Sequence, residues 1–392
     1  MTVSLTTQVL VAGAGPVGLV AALILAEAGV DVIVVEKRDS LNTASKASTF
    51  HPATLEILDR LGVLAPVLAE GEIVRSIQYR TAEGPFATFS LSDLAPRTPF
   101  PFRLHLEQSR LTPHLLARIG ARTNARVMFG TEFVGLEQDE TGVTVAVDGR
   151  DGRRSIRADY LIGADGARSA VRDALGVAFD GHVYPHKILR VMTHDDLEPV
   201  MPGLAPITYL HNAGKSLSFL KMPDCWRIII RVPGDVADEI ALAPGWFYDR
   251  IREVMPTWAA PPTVADRDIY SASRRVASAY RVGRAYLAGD AAHLTNTRGG
   301  MNMNAGIHDA DAIARAMIAA LADGCSERIA AAADRRKQVA DEMLIPRTDR
   351  NVAGGDDWLG QIRALASDKA AATDYLATAA MLDMLERQAR AA

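Results

Sequence analysis

Three glycine-marked stretches hold most of the residues whose types and spacing can do chemistry. The first is Gly13-Ala14-Gly15-Pro16-Val17-Gly18, set between a short apolar run and a longer one. At this spacing Gly13 makes a tight turn, Gly15 lets backbone approach a pyrophosphate, and Gly18 permits close packing of a helix on a strand. A helix start there adds free N–H groups and partial positive charge, both suited to phosphate. Glu36 ends the next β-branched run, where a carboxylate can accept from a ribose hydroxyl, and Lys37 follows it. This is dinucleotide chemistry, and it fits FAD and NAD equally. The second stretch, Gly289-Asp290-Ala291-Ala292-His293, runs on to Arg298-Gly299-Gly300-Met301-Asn302-Met303-Asn304. The third runs from Asp159 through Gly163-Ala164-Asp165-Gly166-Ala167-Arg168 to Ser169, with Val171-Arg172 after it. A glycine-hinged loop carrying Asp165 and Arg168 can contact two nucleotides.

Particular elements must hold these stretches. Residues 8–12 read as a short buried strand and residues 16–28 as a helix stopped by a left-handed Gly29. Residues 30–35 form a second strand, and this βαβ opening implies a parallel sheet. A helical pattern covers 43–61, and 73–91 alternates like antiparallel strands with Gly84-Pro85 as the turn. Residues 111–119 read as a helix, and 127–147 as strands joined by the turn Glu140-Thr141-Gly142. Residues 160–162 make a short buried strand before the third stretch. The proline-rich run 183–273 alternates as a separate antiparallel sheet, clearest at 216–220 and 227–232. Residues 285–288 return to a buried strand, 304–322 form a long helix, and 357–388 carry further helices. The expected fold is α/β. A Rossmann-like nucleotide domain (1–72, 101–182, 276–340) is interleaved with an antiparallel substrate domain (73–100, 183–275), and helices fill 341–392.

Taken together, the motifs resemble those of the class A flavoprotein aromatic hydroxylases, FAD-dependent monooxygenases of the p-hydroxybenzoate hydroxylase type. The resemblance covers residues 5–325 and is specific in the nucleotide domain only. It implies a glutathione reductase-type FAD domain, with Asp290 holding the ribityl chain and the helix start after Gly300 facing the flavin's pyrimidine end. It places Asp165 near the FAD pyrophosphate and near the site of NAD(P)H use. Lys46, in a segment running to Thr54-Leu55-Glu56, is similar to a residue that reaches FAD phosphate, and Gln108 to a flavin-contacting glutamine. The implied cofactor site is Gly13, Gly15, Pro16, Val17, Gly18, Glu36, Lys37, Lys46, Gln108, Asp165, Asp290, Gly300, Met301, Asn302, Met303 and Asn304. Three positions depart from the family pattern: Thr297 for proline, Asn302 for glycine and Lys46 for arginine. Asn302 suits a left-handed backbone better than most residues, and Lys46 keeps charge without the bidentate fork. The backbone at Thr297 is the suspected catalytic feature; no catalytic side chain is assigned.

The implied activity is hydroxylation of an aromatic or heteroaromatic small molecule through a flavin C4a-hydroperoxide, using NADH or NADPH and O2. Alternatives are a flavin dehydrogenase or reductase without oxygen insertion, and a non-catalytic flavin-binding protein. The 43 basic and 47 acidic residues give a net charge of −4, which suggests neither nucleic acid nor an anionic membrane as partner. Cys225 and Cys325 form no metal or disulfide pattern, so a cytoplasmic setting fits. The uncharged run 9–26 is interrupted by glycines and Pro16, so no stable membrane association is expected. The histidines include no ligand pair; His182 and His186 flank Pro185, which argues against a helix aligning them, and no metal site is expected. Tyr209, His211, Phe219 and Trp226 read as core or surface residues. A monomer or a homodimer is expected.

Overall fold

Strand Val3–Ala12, helix Pro16–Glu27 and strand Val32–Glu36 open the chain as a βαβ unit. The structure is a computed structural model that describes residues 3–44, 47–150, 152–212, 214–258, 260, 262–353 and 358–389. Ala12 is registered with Val35 on one side and Gly163 on the other, both pairings parallel. Strand Ala125–Phe129 extends this sheet beyond Val32–Glu36, and Ala285–Leu287 extends it beyond Gly152–Gly163, again in parallel. The chain thus leaves the first strand toward neighbours on both sides, which opens a crevice at its carboxyl end.

Helix Pro16–Glu27 explains the apolar run. Its residues from Pro16 to Ala26 are all buried, and it packs against helices Asn302–Asp323 and Gln108–Gly120. A helix covered on every side has no polar face to show. Gly29 adopts a φ of +82° just after it, as the stop requires. Among the described residues no helix is long and apolar enough to cross a membrane.

The second sheet has eight strands, from His293–Leu294 through Asp266–Ala277, Phe179–Thr193, Trp226–Pro233, Lys215–Lys221 and Ile207–Asn212 to the hairpin Ser76–Thr81/Gly84–Ser90. It is antiparallel except that Ile207–Asn212 runs parallel to Ser76–Thr81. One face packs Leu217, Phe219, Ile228 and Ile230 against Phe247, Ile251 and Val254 of helix Pro244–Val254. The sequence reading missed that helix, although its buried residues recur at helical spacing.

Several boundaries differ from expectation for local reasons. The helix expected over 43–61 is Pro52–Arg60, because His51 is extended and proline takes the first helical position. Upstream, Thr49–Phe50 pairs instead with Arg103–His105. The hairpin turn is Ala82-Glu83, and Gly84, paired with Thr81, begins the return strand. His182 and His186 lie on one strand and not on a helix, with a register shift between Val183 and Lys187. Helix Glu327–Val339, unassigned from sequence, packs on Asn302–Asp323.

Candidate active site

The three glycine-marked turns meet at the carboxyl ends of adjacent parallel strands. Gly13 has a φ of +104°, and a Cβ there would lie 2.4 Å from Ala164 O, so the first and third turns touch. A Cβ on Gly18 would lie 2.0 Å from Gly13 O; only glycine lets this helix start so close to its own turn. Gly289 has a φ of +62° and packs on Val17, and Gly306 packs on both. These contacts draw the start of helix Asn302–Asp323 against the start of helix Pro16–Glu27. Gly15 differs: a Cβ added there meets nothing within 4 Å. Open space above a helix N-terminus, beside backbone that admits no bulk, is a cradle for a diphosphate.

Glu36 is buried at the rim. Its Oε2 accepts from the Ala14 N–H at 3.0 Å and its Oε1 from the Arg38 N–H at 3.0 Å. This fixes the carboxylate beside the first turn with lone pairs still available to a ribose hydroxyl. Pro16, Val17 and Gly18 form the buried first turn of the helix, whereas Lys37 is exposed. Lys46 lies outside the described residues. Gln108 opens helix Gln108–Gly120, half-buried, and its N–H donates to Ala47 O at 2.9 Å. Asp165 accepts from the Val171 N–H at 3.1 Å, and burial raises its pKa.

Asp290 is partly exposed, and its Oδ1 accepts from Asn302 Nδ2 at 2.8 Å. Gly300 keeps a left-handed φ of +64°. Asn302 does not: it is the first residue of its helix, so it matters through its side chain, contrary to the backbone reading given above. Met301 and Met303 are buried beside it. Asn304 is fully buried. Its Oδ1 accepts from the His51 N–H at 3.0 Å, while Nδ2 donates to Thr49 O at 2.8 Å and Gly300 O at 2.7 Å. Its amide therefore ties the Thr49–Phe50 strand to the Gly300 turn.

Sequence reasoning missed several residues here. Arg172, directly after the third motif, donates to Ala291 O at 3.2 Å and lies 4.0 Å over the Phe179 ring, joining the third motif to the second. Arg227 is buried, paired with Glu107 and donating to Ser48 Oγ at 2.6 Å. Behind Asp290, His293, Asp309 and Arg336 form a buried ionic group. His293 and Arg172 carried a signal through their places in and beside the motifs; Arg227, Asp309 and Arg336 carried none.

The second sheet turns its other face to the Thr297–Gly300 turn. Ile188 is registered with Arg231 and Tyr270, and Tyr209 with Ser218 and Tyr79. Tyr209 and His211, two apart on one strand, share that face. Arg298 stands over the Tyr209 ring at 5.2 Å and the Trp358 ring at 5.9 Å, with Nη2 3.2 Å from His211 Nε2. Burial, then the charges of Arg298 and Arg231, push His211 down to about 3, so it is neutral and accepts from Arg298. Burial and Arg298 likewise lower Arg231 to about 10. Of the four aromatic positions read as core or surface, Phe219 is core and Trp226 lies under Lys221; Tyr209 and His211 gather around Arg298. Thr297 is exposed, hydrogen-bonded to Tyr270, and its carbonyl accepts from the Gly300 N–H at 3.1 Å. Among the described residues no cluster could hold a metal ion.

Comparison with known proteins gives a consistent result. A family model described as FAD binding domain matches residues 6–345. The chain is 30% identical over 380 residues to 6-hydroxy-3-succinoylpyridine 3-monooxygenase of Pseudomonas putida, covering 93% of this chain and 95% of that one. It is 29% identical to para-nitrophenol 4-monooxygenase of a Pseudomonas species, covering 82% and 80%. Among solved structures, p-nitrophenol 4-monooxygenase from Pseudomonas putida superposes with a TM-score of 0.86 at 26% identity, covering 98% of both chains.

Proposed function

The chain belongs to the FAD-dependent aromatic monooxygenases, the class A flavoprotein hydroxylases, and from that premise we propose that it hydroxylates an aromatic or heteroaromatic small molecule with NADH or NADPH and O2. One observation carries the reading to this chain's own residues. One segment links the two parts: Gly289 at its start packs on Val17 of the first turn's helix, and Thr297 and Arg298 near its end contact Tyr270 and Tyr209 of the second sheet.

The chemistry that bound FAD supplies is hydride acceptance from a nicotinamide and transfer of one atom of O2 to an electron-rich ring. The residues present fit that cofactor. The Gly15 cradle and the helix start at Pro16 take the diphosphate, Glu36 a ribose hydroxyl, and Asp290 the ribityl hydroxyls. The start of helix Asn302–Asp323 would bring its partial positive charge to the bound flavin. Tyr209 and Trp358 offer ring surfaces to a substrate, and Arg231 and Arg298 favour a ring with an anionic substituent, a carboxylate or phenolate.

A panel of phenolic and N-heteroaromatic acids, each beside its neutral ester or ether, tests this reading. At least one acid stimulates NAD(P)H oxidation by the FAD-loaded protein, and its neutral counterpart does so less. Flavin-loaded protein indifferent to every ring compound would overturn it.

Two substitutions follow. Asp290→Ala weakens FAD binding by about 1–3 kcal/mol, the range for a charge-assisted hydrogen bond, read as the dissociation constant by fluorescence titration. Unchanged affinity would remove Asp290 from the cofactor site. Thr297→Val removes the hydroxyl at nearly constant shape while keeping the carbonyl that Gly300 holds in place. The fraction of NAD(P)H that ends in hydroxylated product stays close to wild type, because fixed backbone groups position more reliably than rotatable hydroxyls. A collapse to hydrogen peroxide would show that the hydroxyl itself is required.

A further inference from the structure

A continuous chain of polar side chains runs from the protein interior to Asp290. Arg336 Nε donates to Asp309 Oδ1 at 2.6 Å, and His293 Nε2 lies 2.9 Å from Asp309 Oδ2. His293 Nδ1 lies 3.1 Å from Asn302 Oδ1, and Asn302 Nδ2 donates to Asp290 Oδ1 at 2.8 Å. Arg336, Asp309 and His293 are fully buried. Asn302 is a position where the family pattern has glycine, so this last link depends on a side chain that pattern lacks.

The hydrogen bonds fix where the protons are. An ionised carboxylate only accepts, so Asn302 must present its NH2 to Asp290. That turns Asn302 Oδ1 toward His293, and an oxygen there also accepts, so Nδ1 carries a proton. Nε2 faces Asp309 Oδ2, another acceptor, and carries one as well. An imidazole protonated on both nitrogens is a cation.

We propose that His293 is held as an imidazolium and that, through Asn302, it orients the Asp290 carboxylate toward the cofactor. The last step rests on the reading of Asp290 as an FAD contact. The other buried histidines set the contrast: burial leads the depression of His51, His105 and His308 below the ordinary value. At His293 burial pulls the same way. The charge of Asp309, its hydrogen bond and that of Asn302 outweigh both burial and the repulsion of Arg336, and the pKa is raised. The Tyr280 ring also stacks on it at 6.4 Å and itself faces Asp309, Arg336 and Asp341.

A dependence on pH follows, with a definite sign. When the pH rises through the His293 pKa, Nε2–H stays with Asp309 and Nδ1 loses its proton. Asn302 then turns its NH2 to Nδ1 and its oxygen to Asp290, and the carboxylate loses its donor. FAD binding therefore loosens toward alkaline pH. Asn302→Gly, which restores the family residue, cuts that coupling.

Two measurements test this. In protein labelled with 15N-histidine, assigned with His293→Gln, both ring nitrogens of His293 show protonated shifts at pH 7. FAD dissociation constants are then compared across pH for wild type, Asn302→Gly and Asn302→Ala. Wild type weakens as His293 titrates. Both variants bind about tenfold more weakly at pH 7, as loss of one charge-assisted hydrogen bond predicts, and they lack the His293 limb. An unprotonated ring nitrogen on His293 at pH 7, in protein that binds FAD, overturns this proposal alone. So does wild-type affinity in both Asn302 variants. Absence of FAD binding by wild type overturns the cofactor reading, while the histidine spectrum still decides the charge.

Discussion

Gly15→Val folds and loses FAD. Gly15 caps helix Pro16–Glu27 with a φ of −76° and a ψ of 177°, extended backbone that a β-branched residue adopts readily, the more so before proline. A Cβ there meets no protein atom within 4 Å. The valine therefore fills the space a diphosphate would occupy and leaves the fold alone. Affinity falls by about 100-fold or more, as expected when a side chain displaces the phosphates from helix-terminal N–H donors. Circular dichroism and thermal melting of the apoprotein stay near wild type while flavin absorbance after incubation and desalting is lost. Gly18→Val is the contrasting case: its Cβ would meet Gly13 O at 2.0 Å, so it damages the fold itself. Normal FAD binding by Gly15→Val would reduce the first motif to a turn.

Asp309→Ala is the largest expected loss of stability, about 3–5 kcal/mol, the range for removing one partner of a buried ionic group. It would leave Arg336 and His293 without their carboxylate and the Gly289 N–H without the acceptor it now has at 3.1 Å. Urea unfolding of the variant and wild type at matched pH measures the difference. The group also sets a pH window. Burial pushes the Asp309 pKa up, but Arg336 and His293 outweigh it and the net shift is downward. Its contribution is present above the unfolded carboxylate value and lost as pH falls through the depressed one. His293 is raised, so its contribution is full below about 6.5 and lost as pH rises through the raised value. Both are complete between about pH 4 and 6.5. A loss below 1 kcal/mol in Asp309→Ala would show that the cluster rearranges instead of standing uncompensated.

The parts of this molecule legible in sequence are those encoded by neighbours along the chain. The opening βαβ unit is one, because Gly13, Gly18 and Gly29 each answer a local backbone demand beside apolar runs of strand and helix length. The glycine turns of the second and third motifs are others. The 15-residue strand Phe179–Thr193 was not legible: much of its first half is exposed, and Pro185 interrupts its pattern. The site divides in the same way. Asp290, His293 and Asn302 stand in one motif, but the contacts that reach beyond it do not. Arg336 and Asp309 meet across two helices, Arg172 reaches Ala291 from the short helix Ala170–Ala174, and Arg298 gathers Tyr209, His211 and Trp358 from widely separated segments. Such pairs carry no periodicity. Asn302 was misread because its identity suggested a backbone role, and only its place at a helix start shows the side chain at work.

Oxygen insertion by a flavin enzyme is read directly by isotope labelling. The FAD-loaded protein is incubated with NAD(P)H, the most stimulatory aromatic acid and 18O2 in unlabelled water, and the product is analysed by mass spectrometry. Each hydroxylated product carries one 18O atom, with NAD(P)H consumed in step. NAD(P)H oxidation that releases only peroxide, or a product whose new oxygen comes from water, would contradict it.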